Sequence, residues 1–222
     1  MKVLVFCLFA FSCPILSAQS VSLDSFLNVL AQKKASLEVL TPGMSKQLTT
    51  VSSFESEDGT VCNYVQTSTQ TVLKIEGDKM IVLSDETFKP GSEAGCVGSE
   101  EFSEKVLFFE DVPTLAGLEA DLRETQVQSI QMNGNMVNLS VMAMGTDEEG
   151  NPASENLKLL YNLGMPLFKI VSRIEGELYT TTMTNLPDMN LIGVDLTNVL
   201  FCPSADSQDE ECAEGDFSDI LF

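Results

Sequence analysis

The residues whose types could do chemistry here are ten methionines, six cysteines and 33 carboxylates set against 12 basic groups. There is no histidine. A hydrolytic triad needs a base that titrates near neutrality, and imidazole is the usual one. A serine–lysine pair is the remaining route. Ser45 and Lys46 are adjacent in sequence, however, and neighbouring side chains diverge on a regular element. No GxSxG, SxxK, GxGxxG or GxxxxGK[ST] spacing occurs. Paired carboxylates could cleave glycosides, but with so many acids no pair stands out by pattern. The expectation is a protein that is not an enzyme and carries no cofactor.

Metal ligation fares no better. Zinc would want CxxC spacing or histidine, and neither is present. Calcium prefers oxygen ligands, and the densest acidic stretches are Asp147-Glu148-Glu149-Gly150 and 206–211. Neither has the spaced acids, central glycine and distal glutamate of an EF-hand loop, so both read as solvated loops. Asn138-Leu139-Ser140 is a glycosylation sequon set inside an expected strand.

The cysteines point to covalent structure and export. The chain opens MKVLVFCLFAFSCPILSAQS: one lysine, an apolar run too short for a stable span, then small residues. Residues 1–20 are therefore expected to be an export signal. Cutting after Ala18, or at the small-x-small Ala18-Gln19-Ser20, is compatible with the pattern. Ala10-Phe11-Ser12-Cys13 also loosely matches a bacterial lipobox, which would make Cys13 a lipid anchor. Cys7 belongs to this segment too. Cys62, Cys96, Cys202 and Cys212 remain, and an even number in an exported protein predicts two disulfides. Of the three pairings, the local one is preferred: Cys62 with Cys96, and Cys202 with Cys212.

Charge and length bound the rest. A net charge of −21 repels nucleic acid and anionic membrane, so neither is an expected partner. No later stretch is apolar and long enough to cross a bilayer. A membrane barrel would want tryptophan and tyrosine belts, and the chain has no tryptophan and three tyrosines. About 200 residues after the signal suit one domain with a real core.

The elements that must position these residues follow from periodicity. Leu23, Phe26, Leu27 and Leu30 predict a helix over 22–35, capped by Ser22. Strands are expected from Gln47, over 61–75, 79–84 and 104–110, with a Gly/Ser/acidic loop at 90–101. A second helix follows, opened by Pro113 in its first turn. In SIQMNGNMVNLSVMAMG, Asn133-Gly134 predicts a two-residue hairpin. Further strands are expected at 156–162, at 161–186 as two strands turning at Glu175-Gly176, and at 194–201. The order is an antiparallel meander with two helices packed on it, an α+β fold without β-α-β alternation. Residues 21–202 form this domain, and 203–222 an acidic tail whose apolar end could dock.

Methionine suits surfaces that accept varied apolar ligands. Four cluster in Met132, Met136, Met142 and Met144. Met136, Met142 and Met144 alternate with Val137, Leu139 and Val141, so both faces of that strand are partly apolar. One face suits a helix. The other would line a cavity or join a second core layer.

The stretch NLGMPLFKIVSRIEGELYTTTMTNL resembles a pattern of the periplasmic lipoprotein-carrier superfamily. Gly164-Met165-Pro166 stands at the step into a strand, Glu175-Gly176 at the turn, and Tyr179 to Thr184 as the threonine-rich return. The early helix, the hairpin TQTVLKIEGDKMIVLS and a last strand near Phe201 come in a similar order. The resemblance implies a curved antiparallel half-barrel with helices over its concave face. It also implies a periplasmic role, holding the acyl chains of a lipid or lipoprotein. The disulfides and the acidic tail depart from that pattern, and no release switch matches. The alternative is a secreted or lipid-anchored surface domain that takes no small ligand and binds protein through a sheet edge or its tail.

Overall fold

The computed structural model describes residues 19–55, 59–90, 102–146, 152–204 and 212–217. The expected export signal as far as residue 18, with Cys13, therefore lies outside the described residues. So do Cys96, the loop about it and both dense acidic stretches.

Among the described residues the chain builds one curved, unclosed sheet, antiparallel almost throughout, with three helices. Two meanders make it. β2 (Ser45–Glu55), β3 (Val61–Glu76), β4 (Lys79–Pro90) and β5 (Phe102–Asp111) form the first. β6 (Gln126–Asn133), β7 (Met136–Thr146), β8 (Pro152–Asn162), β9 (Val171–Glu175) and β10 (Tyr179–Asn185) form the second. β10 returns to pair with β2 and welds the two together. The edges carry short strands: β1 (Gln19–Ser20) on β6, and β12 (Ala213–Gly215) on β11 (Val199–Cys202). β12 falls in the stretch read from sequence as an acidic tail, and Phe217 just beyond it packs against core residues.

One pair departs from the expected all-antiparallel meander. β11 lies parallel to β5. A hairpin cannot make a parallel neighbour, so a longer connection is required. Here that connection spans 112–198, the whole second meander followed by the strap 186–198, which runs over the outer face of β3–β5. The strap buries Leu196, with Val199 after it, against Leu73, Ile81, Leu83 and Leu107. Gly43 lets it approach. Its φ is +90°, and a Cβ there would stand 2.6 Å from the Met189 carbonyl oxygen. Met189 N–H donates to the Gly43 carbonyl at 2.7 Å. Beneath the strap β3–β5 are thus apolar on both faces, which explains the short unbroken runs Val72-Leu73, Met80 to Leu83 and Val106 to Phe109.

The helices sit on the other, inner face. α1 (Leu23–Gln32) is capped by Ser22, whose hydroxyl accepts from the Ser25 N–H, and a short α2 (Lys34–Leu37) follows. α3 (Leu115–Glu124) is capped by Thr114, which accepts from the Gly117 N–H. Pro113 therefore precedes the cap and does not occupy the first turn as expected, because the threonine hydroxyl is the better acceptor for the free N–H groups. Phe26, Leu30, Leu37 and Leu122 pack against Ile130, Val137, Leu139 and Tyr161. α3 carries the chain between β5 and β6, strands that lie far apart in the sheet order.

Candidate functional site

Pairing register defines the inner face strand by strand. One row runs Ile130, Leu139, Leu159, Ile174, Thr181, Thr50, Gln66, Phe88, Phe102 across nine strands. Its first members are buried under α1 and α3, or packed against that core. The middle is polar, with the Thr50 and Thr181 hydroxyls 2.9 Å apart. The far end is an open aromatic stack, Tyr64 on Phe88 on Phe102, with ring centroids 5.2 and 5.3 Å apart.

Where the covered half meets the open half, a short 3₁₀ turn, Leu167–Lys169, stands on the inner face. The sequence pattern leads from Gly164-Met165-Pro166 directly into a strand, but the turn intervenes before β9 begins. Leu167 belongs to the core under the helices, and Phe168 to a second cluster with Met44, Val72, Met80, Val82 and Phe108. Between the turn and the sheet lies a cavity of about 270 Å³, with Leu48, Leu167, Phe168, Val171, Ile174 and Met183 in its lining. Glu110 on β5 lines it as well. Glu110 and Ile174 are five strand spacings apart, about 24 Å in a flat sheet. Their sharing of one small cavity shows how strongly the sheet curls. Pro113, Leu167 and Val171 also line a wider cleft of about 720 Å³ beside α3 and Tyr161, so the two spaces adjoin.

Lys46 is the cation of this cavity whose side chain lies on the inner face. It alternates with Leu48 and Thr50 on β2. Its ammonium donates to the Phe168 carbonyl at 3.0 Å and stands 4.0 Å from the centroid of the Phe168 ring. Burial pushes its pKa down; the Glu110 carboxylate opposes that shift, and the nearby Lys169 ammonium adds to it. Lys169 is 5% exposed and donates to the Leu186 carbonyl at 3.1 Å, with Asp188 3.5 Å away. Arg173 borders the cavity, but register puts its side chain on the outer face, beside Glu175 at 3.4 Å.

The four methionines singled out by sequence are divided. Met132 pairs with Val137 and packs on the core beneath the helices. Met136, Met142 and Met144 fall on the opposite face of the sheet from Val137, Leu139 and Val141, and Met144 is 64% exposed. None of the four is among the residues lining the cavity beside the turn. β7 has one face covered by helices and one turned away from them, so alternation sends half its side chains outward.

Cys202 and Cys212 are bonded to each other, as the local pairing predicted. Cys62 is buried and disulfide-bonded, and Cys96, its expected partner, lies outside the described residues. Ser45 and Lys46 point to opposite faces, with the Ser45 hydroxyl 2.9 Å from that of Thr71. Among the described residues no cluster of three metal-ligating side chains occurs, and no helix is long and apolar enough to cross a membrane. Lys46 and the 3₁₀ turn escaped the sequence reading. The available signal was a lone lysine in phase with Leu48 on a strand otherwise rich in Thr, Ser and Val.

No protein-family model matches the chain, and neither curated proteins nor solved structures give a match.

Proposed function

We propose that this is an exported, non-enzymatic binding protein that holds the acyl chain of a lipid or lipoprotein between its sheet and the Leu167–Lys169 turn. The observation that carries this reading is the apolar cavity at the seam of the inner face, continuous with the cleft along α3. Ligand sites are typically concave and mostly apolar with a few polar groups, and span about 300–1,000 Å³. Burial would supply affinity at about 0.8 kcal/mol per CH₂. In this reading the sheet is a half-barrel of the lipoprotein-carrier kind, and the acidic exterior keeps the protein off anionic membranes until it meets a receptor.

Native mass spectrometry of the mature protein, purified without detergent from its own host, tests the reading. The expected result is added mass that leaves on denaturation and resolves into acyl-chain lipids. A clean apo mass, unchanged after incubation with host lipids, would sink it. That outcome would promote a surface interaction domain, a reading favoured by the open aromatic stack, where Phe102 is 49% exposed. The denatured mass from the same run reports the N-terminus. A diacylglyceryl adduct on Cys13 would mean a lipid-anchored protein, and an unmodified start near Gln19 a free one.

A further inference from the structure

We propose that Lys46 is the head-group anchor of this cavity, and that the ligand is a single-chain fatty carboxylate whose carboxyl group bonds the Lys46 ammonium. This deepens the acyl-chain reading and rests on it. An ammonium has three donors. In Lys46 one goes to the Phe168 carbonyl and the charge lies against the Phe168 ring, two contacts that leave donor capacity. The stem of Lys46 runs beside Leu48, so cation and apolar wall meet at one place. Such a meeting of charge and grease matches a fatty acid, with its head on Lys46 and its chain along Ile174 and Leu167 into the cleft under α3. Two other charges act on Lys46. Lys169 strengthens the positive potential, and Glu110, lining the same cavity, competes with a ligand carboxylate for Lys46.

The test is a titration of the delipidated full chain with hexadecanoate and with hexadecan-1-ol, probes of equal chain length and different head. Hexadecanoate should bind about tenfold more tightly or better, the typical worth of a charge-assisted hydrogen bond. Lys46→Met should erase that gap, Lys46→Arg should keep it, and Glu110→Gln should widen it. Equal affinity of the two probes for the wild-type chain would overturn the anchor, as would a gap that survives Lys46→Met. If Lys46→Met does not fold, Glu110→Gln decides, and an unwidened gap there overturns the proposal. Failure of both probes to bind would instead overturn the acyl-chain reading itself.

Discussion

Lys46 is held against its own solvation. Its lowered pKa means that the folded state binds the proton less tightly than the unfolded chain does. By linkage, stability then rises with pH in the window below the ordinary lysine value of 10.5, because there the unfolded state carries more protons. The charged form is therefore a cost to folding at neutral pH, set mainly by burial. Lys46→Met, of similar length and without the charge, should leave the urea-unfolding free energy at pH 7 equal to or above wild type. The variant should also lose the rise that wild type shows as pH approaches 10.5. A clear drop in stability at pH 7 would mean that the Phe168 contacts outweigh desolvation, and that Lys46 is a structural residue. A position whose removal does not hurt the fold but abolishes head-group selectivity is what a ligand contact should look like.

At the scale of elements, the parallel strand β11 is the least expected part. It is held by register to β5, by the strap packed on the outer face, and by the Cys202–Cys212 bond that ties β12 back onto it. The bond closes a step of ten residues, for which chain entropy predicts about 2–3 kcal/mol of stabilisation. Replacing both cysteines by serine should lower stability by about that amount in denaturant unfolding, and should speed amide exchange first in 199–202 and 213–215. Unchanged exchange at β12 would show that Phe217 and the backbone pairing suffice without the bond. The inner elements divide differently. α1 was legible because its apolar residues recur at helical spacing and a serine caps it. The 3₁₀ turn was not, because Leu167, Phe168 and Lys169 are too few to show a period, and the Pro166 before them suits a strand entry as well as a turn.

The whole molecule joins two meanders by one strand pair, β10 with β2, and stacks its main core under the helices. Tyr161 sits in that core, 5% exposed, packed near Phe26 and beside the cleft. Burial, helped by the Asp121 carboxylate, pushes its phenol up to about 12 from 10.0. An acid whose pKa is raised on folding contributes stability that is fully present below its unfolded pKa and lost as pH climbs through the folded one. That rise corresponds to about 2–3 kcal/mol. Stability should therefore fall by about that much between pH 10 and 12, and Tyr161→Phe should flatten this part of the profile. An equally steep fall in Tyr161→Phe would assign alkaline unfolding to other groups.

The sequence by itself determined the α+β class, the first and third helices, the Asn133-Gly134 hairpin and the Cys202–Cys212 pairing. These depend on near neighbours: helical spacing, a hairpin dipeptide, a short cysteine step. It also placed Val137, Leu139 and Val141 on one face, since a strand alternates whatever its surroundings. Only the tertiary structure decided which of two partly apolar faces the helices cover, and that choice sent Met136, Met142 and Met144 away from the helices while keeping Met132 beneath them. Only the curl of the sheet brought Lys46, Glu110 and Ile174 to one cavity, from strands far apart in sequence and in sheet order. A cavity is made by what meets across space, and local periodicity carries no record of that meeting.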